Sequence, residues 1–68
     1  MTWEMFQQKI EQDLGVGNTR GRARLLEFRQ AFKGKKEAIE ELISVSYNDL
    51  GRVVYKMKIN GKVKQITI

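Results

Sequence analysis

Cysteine and histidine are both absent from this 68-residue chain. Without cysteine there is no disulfide and no thiolate chemistry, and the redox compartment leaves no mark on the sequence. Without histidine the commonest metal ligand is missing, and so is the usual general base near neutral pH. Apolar runs are short. None reaches membrane-spanning length, and the first residues lack the apolar core of a secretory signal. A cytoplasmic protein with no membrane contact is therefore expected. No nucleophile–base pair or metal-ligating cluster stands out, and a chain of this length leaves little room for a pocket, so neither an enzyme nor a cofactor is expected.

The length allows one small domain over residues 1–68, and a hydrophobic content of 41% is enough to give it a core. With no disulfide or zinc, that core must hold through packing, helped by a partner or by a second copy in a homodimer.

Charge is unevenly placed. Residues 1–18 carry a net −2, residues 19–36 a net +6, residues 37–51 a net −4 and residues 52–68 a net +5. The second stretch holds Arg20, Arg22, Arg24, Arg29, Lys33, Lys35 and Lys36 against one acid, Glu27. The last stretch adds Arg52, Lys56, Lys58, Lys62 and Lys64 with no acid at all. Such surfaces attract anions, nucleic acid first among them.

Periodicity gives the fold class. Trp3, Phe6, Ile10 and Leu14 recur on one helical face, which predicts a helix over residues 3–14 with Thr2 as its cap and Gly15 after its end. Asn18 or Thr19 can cap a second helix over about residues 20–33, with Leu25, Phe28 and Phe32 as its apolar stripe, Ala31 and Leu26 at its margin, and Gly21 as a weak first turn. Gly34 is a normal helix stop, and a third helix over residues 35–42 follows it; a single helix running through Gly34 is the alternative.

From Ile43 the period becomes two, with strands expected over residues 43–48, 52–59 and 62–68. Asn60-Gly61 is a strong hairpin signal, and a two-residue turn there sets Tyr55 opposite Ile66 and Val53 opposite Ile68. A three-residue loop over Asp49-Leu50-Gly51 sets Tyr47 opposite Val53, Val45 opposite Tyr55 and Ile43 opposite Met57. Both turns put apolar side chains on the same face of the middle strand, an agreement that a one-residue slip would destroy. The expected architecture is α+β: two or three N-terminal helices on one face of a C-terminal three-stranded antiparallel meander, ααβββ or αααβββ.

Four features bear on function. The arginine-rich second helix can contact phosphates, although charged helix faces are also routine solvated surfaces. Lys33-Gly34-Lys35-Lys36 at a helix start would oppose the helix dipole and could cradle a phosphate, but no P-loop pattern accompanies it. Lys56 and Lys58 fall on the open face of the middle strand; Trp3, Phe6, Phe28, Phe32, Tyr47 and Tyr55 all fall on core stripes instead, which argues against base stacking on single-stranded RNA. Glu37, Glu40 and Glu41 read as a solvated face of the third helix.

The expected function is therefore a small basic binding protein that contacts nucleic-acid phosphates through Arg20, Arg22, Arg24, Arg29, Lys33, Lys35 and Lys36, with Lys56 and Lys58 adding to the footprint, largely independent of sequence. The alternative is an adaptor or inhibitor that docks its basic surface on an acidic patch of a larger protein. Small regulatory domains of phages and mobile elements are the class-level analogy for it.

Overall fold

A computed structural model describes residues 1–32 and 39–68. Two helices, α1 (Trp3–Leu14) and α2 (Thr19–Gln30), precede three strands, β1 (Ile39–Tyr47), β2 (Val53–Ile59) and β3 (Lys62–Thr67). The strands form one antiparallel sheet in the order β1-β2-β3. The arrangement is ααβββ, an α+β fold.

The helix ends follow their local chemistry. The Thr2 hydroxyl accepts from the Met5 N–H at 3.1 Å, and Gly15 closes α1 at φ 100°, a value that glycine adopts at little steric cost. Asn18 caps α2 by accepting the Gly21 N–H at 2.6 Å. The α-helical part of α2 ends at Gln30 rather than at residue 33. The Ala31 and Phe32 N–H groups bond three residues back, to the Phe28 and Arg29 carbonyls at 3.2 and 3.0 Å, so the last turn tightens and the helix stops.

The two turns take the expected forms. Asn60 and Gly61 have φ of 52° and 76°, which matches the strand twist, and β2–β3 pairing sets Tyr55 opposite Ile66. In the other loop Gly51 is left-handed at φ 75°, and the Asn48 side chain accepts from the Leu50 and Arg52 N–H groups, each at 3.0 Å. Tyr47 lies opposite Val53 and Val45 opposite Tyr55.

On the N-terminal side of Ser44 the expected pattern fails. Residues 39–42 belong to β1 and not to a third helix; residues 35–38 of that expected helix lie outside the described residues. The register shifts between Leu42 and Ser44 and again between Ile39 and Glu41, so Leu42, not Ile43, faces Met57, and Ile39 faces Ile59. Two bulges, at Ile43 and Glu40, thus extend the strand by four residues toward its N-terminus while breaking its alternation.

The core lies between the helices and one face of the sheet. Trp3, Phe6 and Ile10 of α1 and Leu25 of α2 bury against Ile39, Val53, Tyr55, Met57, Ile59, Ile66 and Ile68. Phe6 and Tyr55 meet edge to face with centroids 5.2 Å apart. Gly21, expected as a weak point, is buried where the two helices approach, since a Cβ there would stand 3.2 Å from Cγ2 of Ile10. The helices stop short of the far end of β1. Val45 and Tyr47 point to the covered side by register, yet are 38% and 69% exposed, so Tyr47 is no core residue.

Candidate nucleic-acid interface

α2 carries four arginines in twelve residues, and its first turn contains no acid. Buried Gly21 and Leu25 fix which side of the helix meets the core. The arginines then fall on two flanks. Arg22 and Arg29, about two turns apart, lie on the α1 side. The Arg22 guanidinium is 3.8 Å from the Glu11 carboxylate, and that of Arg29 sits 5.7 Å from the centre of the Trp3 ring. Arg24 lies on the β3 side, where its Nε donates to the Thr67 carbonyl at 3.2 Å and its head group stands 3.6 Å from Glu27. Arg20 is one turn before Arg24 on the same line and is exposed.

Between these flanks the solvent-facing crest of α2 presents Ala23, Leu26, Glu27 and Gln30. Leu26 is 60% exposed. The carboxylate pairs of Arg22 and Arg24 are long and solvent-facing, so they hold the guanidinium groups only weakly. The positive end of the α2 dipole adds to the charge of Arg20, Arg22 and Arg24 around its first turns. Cations therefore stand at a helix start where the dipole favours anions.

Lys56 and Lys58 lie elsewhere. They alternate with buried Tyr55, Met57 and Ile59 and so project from the sheet face turned away from the helices. There Lys58 stands 3.9 Å from Glu40 and pairs in register with Glu41, which lowers the local positive potential. The expected acidic helix face is replaced by this strand. Glu40 also accepts the Gly61 N–H at 2.7 Å and ties β1 to the β2–β3 turn. The arginines of α2 and the lysines of β2 therefore occupy opposite sides of the domain and form no single patch. Lys33, Lys35 and Lys36, with the phosphate cradle read there, lie outside the described residues.

The structure adds a cleft that the sequence did not reveal. Trp3, Gln7, Arg22, Leu25, Leu26 and Arg29 enclose about 410 Å³ between α1 and α2. Its signal in sequence was Leu26, an apolar residue at the margin of the α2 stripe with no buried place to go. Among the described residues no helix is long and apolar enough to cross a membrane.

Comparison with known proteins yields no matching family model, curated protein or solved structure.

Proposed function

We propose that the chain is a small nucleic-acid-binding protein that lays α2 along a duplex and contacts phosphates on both sides of that helix, largely without reading sequence. The carrying observation is the layout of α2: a crest of Ala23, Leu26, Gln30 and one acid, Glu27, flanked by Arg22 and Arg29 on one side and by Arg20 and Arg24 on the other. A duplex major groove, about 12 Å wide, admits a helix between two phosphate backbones. Arginines on both flanks then meet both backbones, while Ala23, Leu26 and Gln30 allow close approach and the one crest acid, Glu27, stands 3.6 Å from the Arg24 guanidinium. The lysines of β2 take no part, because they face the other way.

The test is a binding titration on duplex and single-stranded probes at two salt concentrations. Duplex binding should weaken steeply with salt, with a logarithmic slope of roughly −0.9 for each phosphate contacted. No binding to either probe at low salt rejects the proposal.

One observation favours a second reading, an adaptor that takes an acidic segment of a larger protein. The cleft between the helices sets an apolar floor, Trp3 and Leu25, beneath a rim that holds Leu26 and two arginines. Apolar floor plus cationic rim suits an amphipathic acidic peptide. A pull-down from nuclease-treated lysate separates the readings, because only a protein partner survives that treatment.

A further inference from the structure

We propose that two copies of this chain join through the free edges of their β1 strands, antiparallel and centred on Ser46, into one continuous six-stranded sheet. This inference is independent of how α2 is used.

The two edges of the sheet are built differently. The β3 edge carries Lys62 and Lys64, and Arg24 occupies its Thr67 carbonyl at 3.2 Å. Cations and covered carbonyls discourage strand addition. The β1 edge carries no charge from Leu42 to Asn48 and has no neighbouring strand among the described residues. Its large apolar side chains are uncovered: Val45 is 38% exposed, Tyr47 69%, and Leu50 in the adjoining loop 78%.

The backbone pattern selects the register. The Asn48 N–H donates to the Arg52 carbonyl at 2.9 Å, so this pair is a hydrogen-bonded one. Alternation along an antiparallel ladder then turns the N–H and C=O of Val45 and Tyr47 away from β2, toward the free edge. Consistently, Val53, opposite Tyr47, uses its carbonyl on the other side and accepts from the Ile68 N–H at 2.9 Å. The bulge at Ile43 limits pairing to residues 44–48.

Within that stretch, Ser44-Val45-Ser46-Tyr47-Asn48, polar and apolar residues alternate symmetrically about Ser46. Centring the pair there sets Val45 of each copy against Tyr47 of the other, and each couple exchanges both of its edge hydrogen bonds. An aromatic residue against a β-branched one is a favourable cross-strand pair, and here symmetry makes it twice. Ser46 meets Ser46 on the opposite face. The two-fold axis runs perpendicular to the sheet, so both helix layers lie on one side and the exposed Val45–Tyr47 surfaces merge beneath them. A self-complementary strand of this kind points to a second copy as the occupant. A small domain without disulfides also gains stability from such pairing.

Sedimentation equilibrium tests the proposal. The interface is short, so concentrations up to about 1 mM are used. The expected result is a species of twice the chain mass. Tyr47→Glu, at a position too exposed to unfold the monomer, should raise the dissociation constant about tenfold or more, with the circular dichroism spectrum unchanged. Ser46→Cys should form a covalent dimer on mild oxidation, because Cα atoms of a directly opposed pair without hydrogen bonds stand about 4.5 Å apart, within disulfide reach. Val63→Cys, exposed on β3, should not. A wild-type mass of one chain throughout the range overturns the proposal, as does a dimer in which Ser46→Cys fails to cross-link.

Discussion

The Tyr55 hydroxyl donates to Oδ2 of Asp13 at 2.8 Å and joins the last turn of α1 to the middle of the central strand, 42 residues away. Lys9, one turn earlier, donates to Oδ1 of the same carboxylate at 3.0 Å. Burial pushes the Asp13 carboxyl up, but the hydrogen bonds from Tyr55 and Lys9 and the Lys9 charge together hold it below its ordinary value. Burial pushes the Tyr55 phenol up, and the Asp13 acceptor pushes it further the same way. The ring of Tyr55 is wholly buried against Phe6, so its hydroxyl is fixed beside the carboxylate by core packing.

Two limits of stability follow from this pair. Asp13 has its folded pKa depressed, so its contribution is present above the unfolded carboxylate value, about 3.9, and is lost as pH falls through the folded value. Tyr55 has its folded pKa raised, so its contribution is present below the unfolded value, about 10, and is lost as pH rises beyond it. Tyr55→Phe should therefore cost about 1–2 kcal/mol at pH 7, flatten the alkaline limb and reduce the acid one. Urea unfolding of both proteins between about pH 3 and 11, followed through buried Trp3, reads all three effects. An unchanged alkaline limb in Tyr55→Phe would show that the pair is not coupled to folding.

The sequence made most of this fold legible and hid one strand segment for a physical reason. α1 announces itself through Trp3, Phe6 and Ile10 at helical spacing between a threonine cap and Gly15. The β2–β3 register follows from Asn60-Gly61 and the run Val53, Tyr55, Met57, Ile59. Residues 37–42, Glu-Ala-Ile-Glu-Glu-Leu, have good helix propensity and a helical spacing of Ile39 and Leu42. The bulge at Glu40 places Ile39 and Leu42, three positions apart, on one sheet face, and the bulge at Ile43 does the same for Leu42 and Val45. A bulged strand therefore imitates the helical period, and the alternation read from Ile43 holds in the sheet only from Ser44 onward. Of the candidate site, the arginine helix was legible. So was its division into two lines, Arg22 with Arg29 and Arg20 with Arg24, because helical spacing alone gives it; whether those lines converge with Lys56 and Lys58 was not, because that depends on which sheet face the helices cover.

Gly21 should resist the usual gain from alanine. In an open helix Gly→Ala stabilises by about 1 kcal/mol. Here the added methyl would lie 3.1 Å from Oδ1 of the capping Asn18 and 3.2 Å from Cγ2 of Ile10. Gly21→Ala should accordingly be within about 0.5 kcal/mol of wild type, and Gly21→Val should lose about 1–3 kcal/mol through overpacking. Asn18→Ala should cost about 1 kcal/mol by leaving the Gly21 N–H uncapped. Thermal melts of the three variants test this. A full gain in Gly21→Ala would mean that α1 and α2 are not held at this distance.

The two flanks of α2 should contribute to binding separately, and the sheet lysines should not contribute. Arg22→Ala removes a cation from the α1 flank and Arg24→Ala one from the β3 flank, while Lys56→Ala combined with Lys58→Ala alters only the far face of the sheet. Each arginine variant should weaken duplex binding across unrelated sequences and reduce the salt slope by about 1, as loss of one phosphate contact requires. Neither should unfold the chain, because both side chains are largely solvent-facing. The double lysine variant should keep wild-type affinity and slope. Loss on only one flank would place a single backbone against α2 and remove the groove geometry. Loss in the lysine variant alone would move the nucleic-acid surface to the open sheet and leave the arginine cleft to a protein partner.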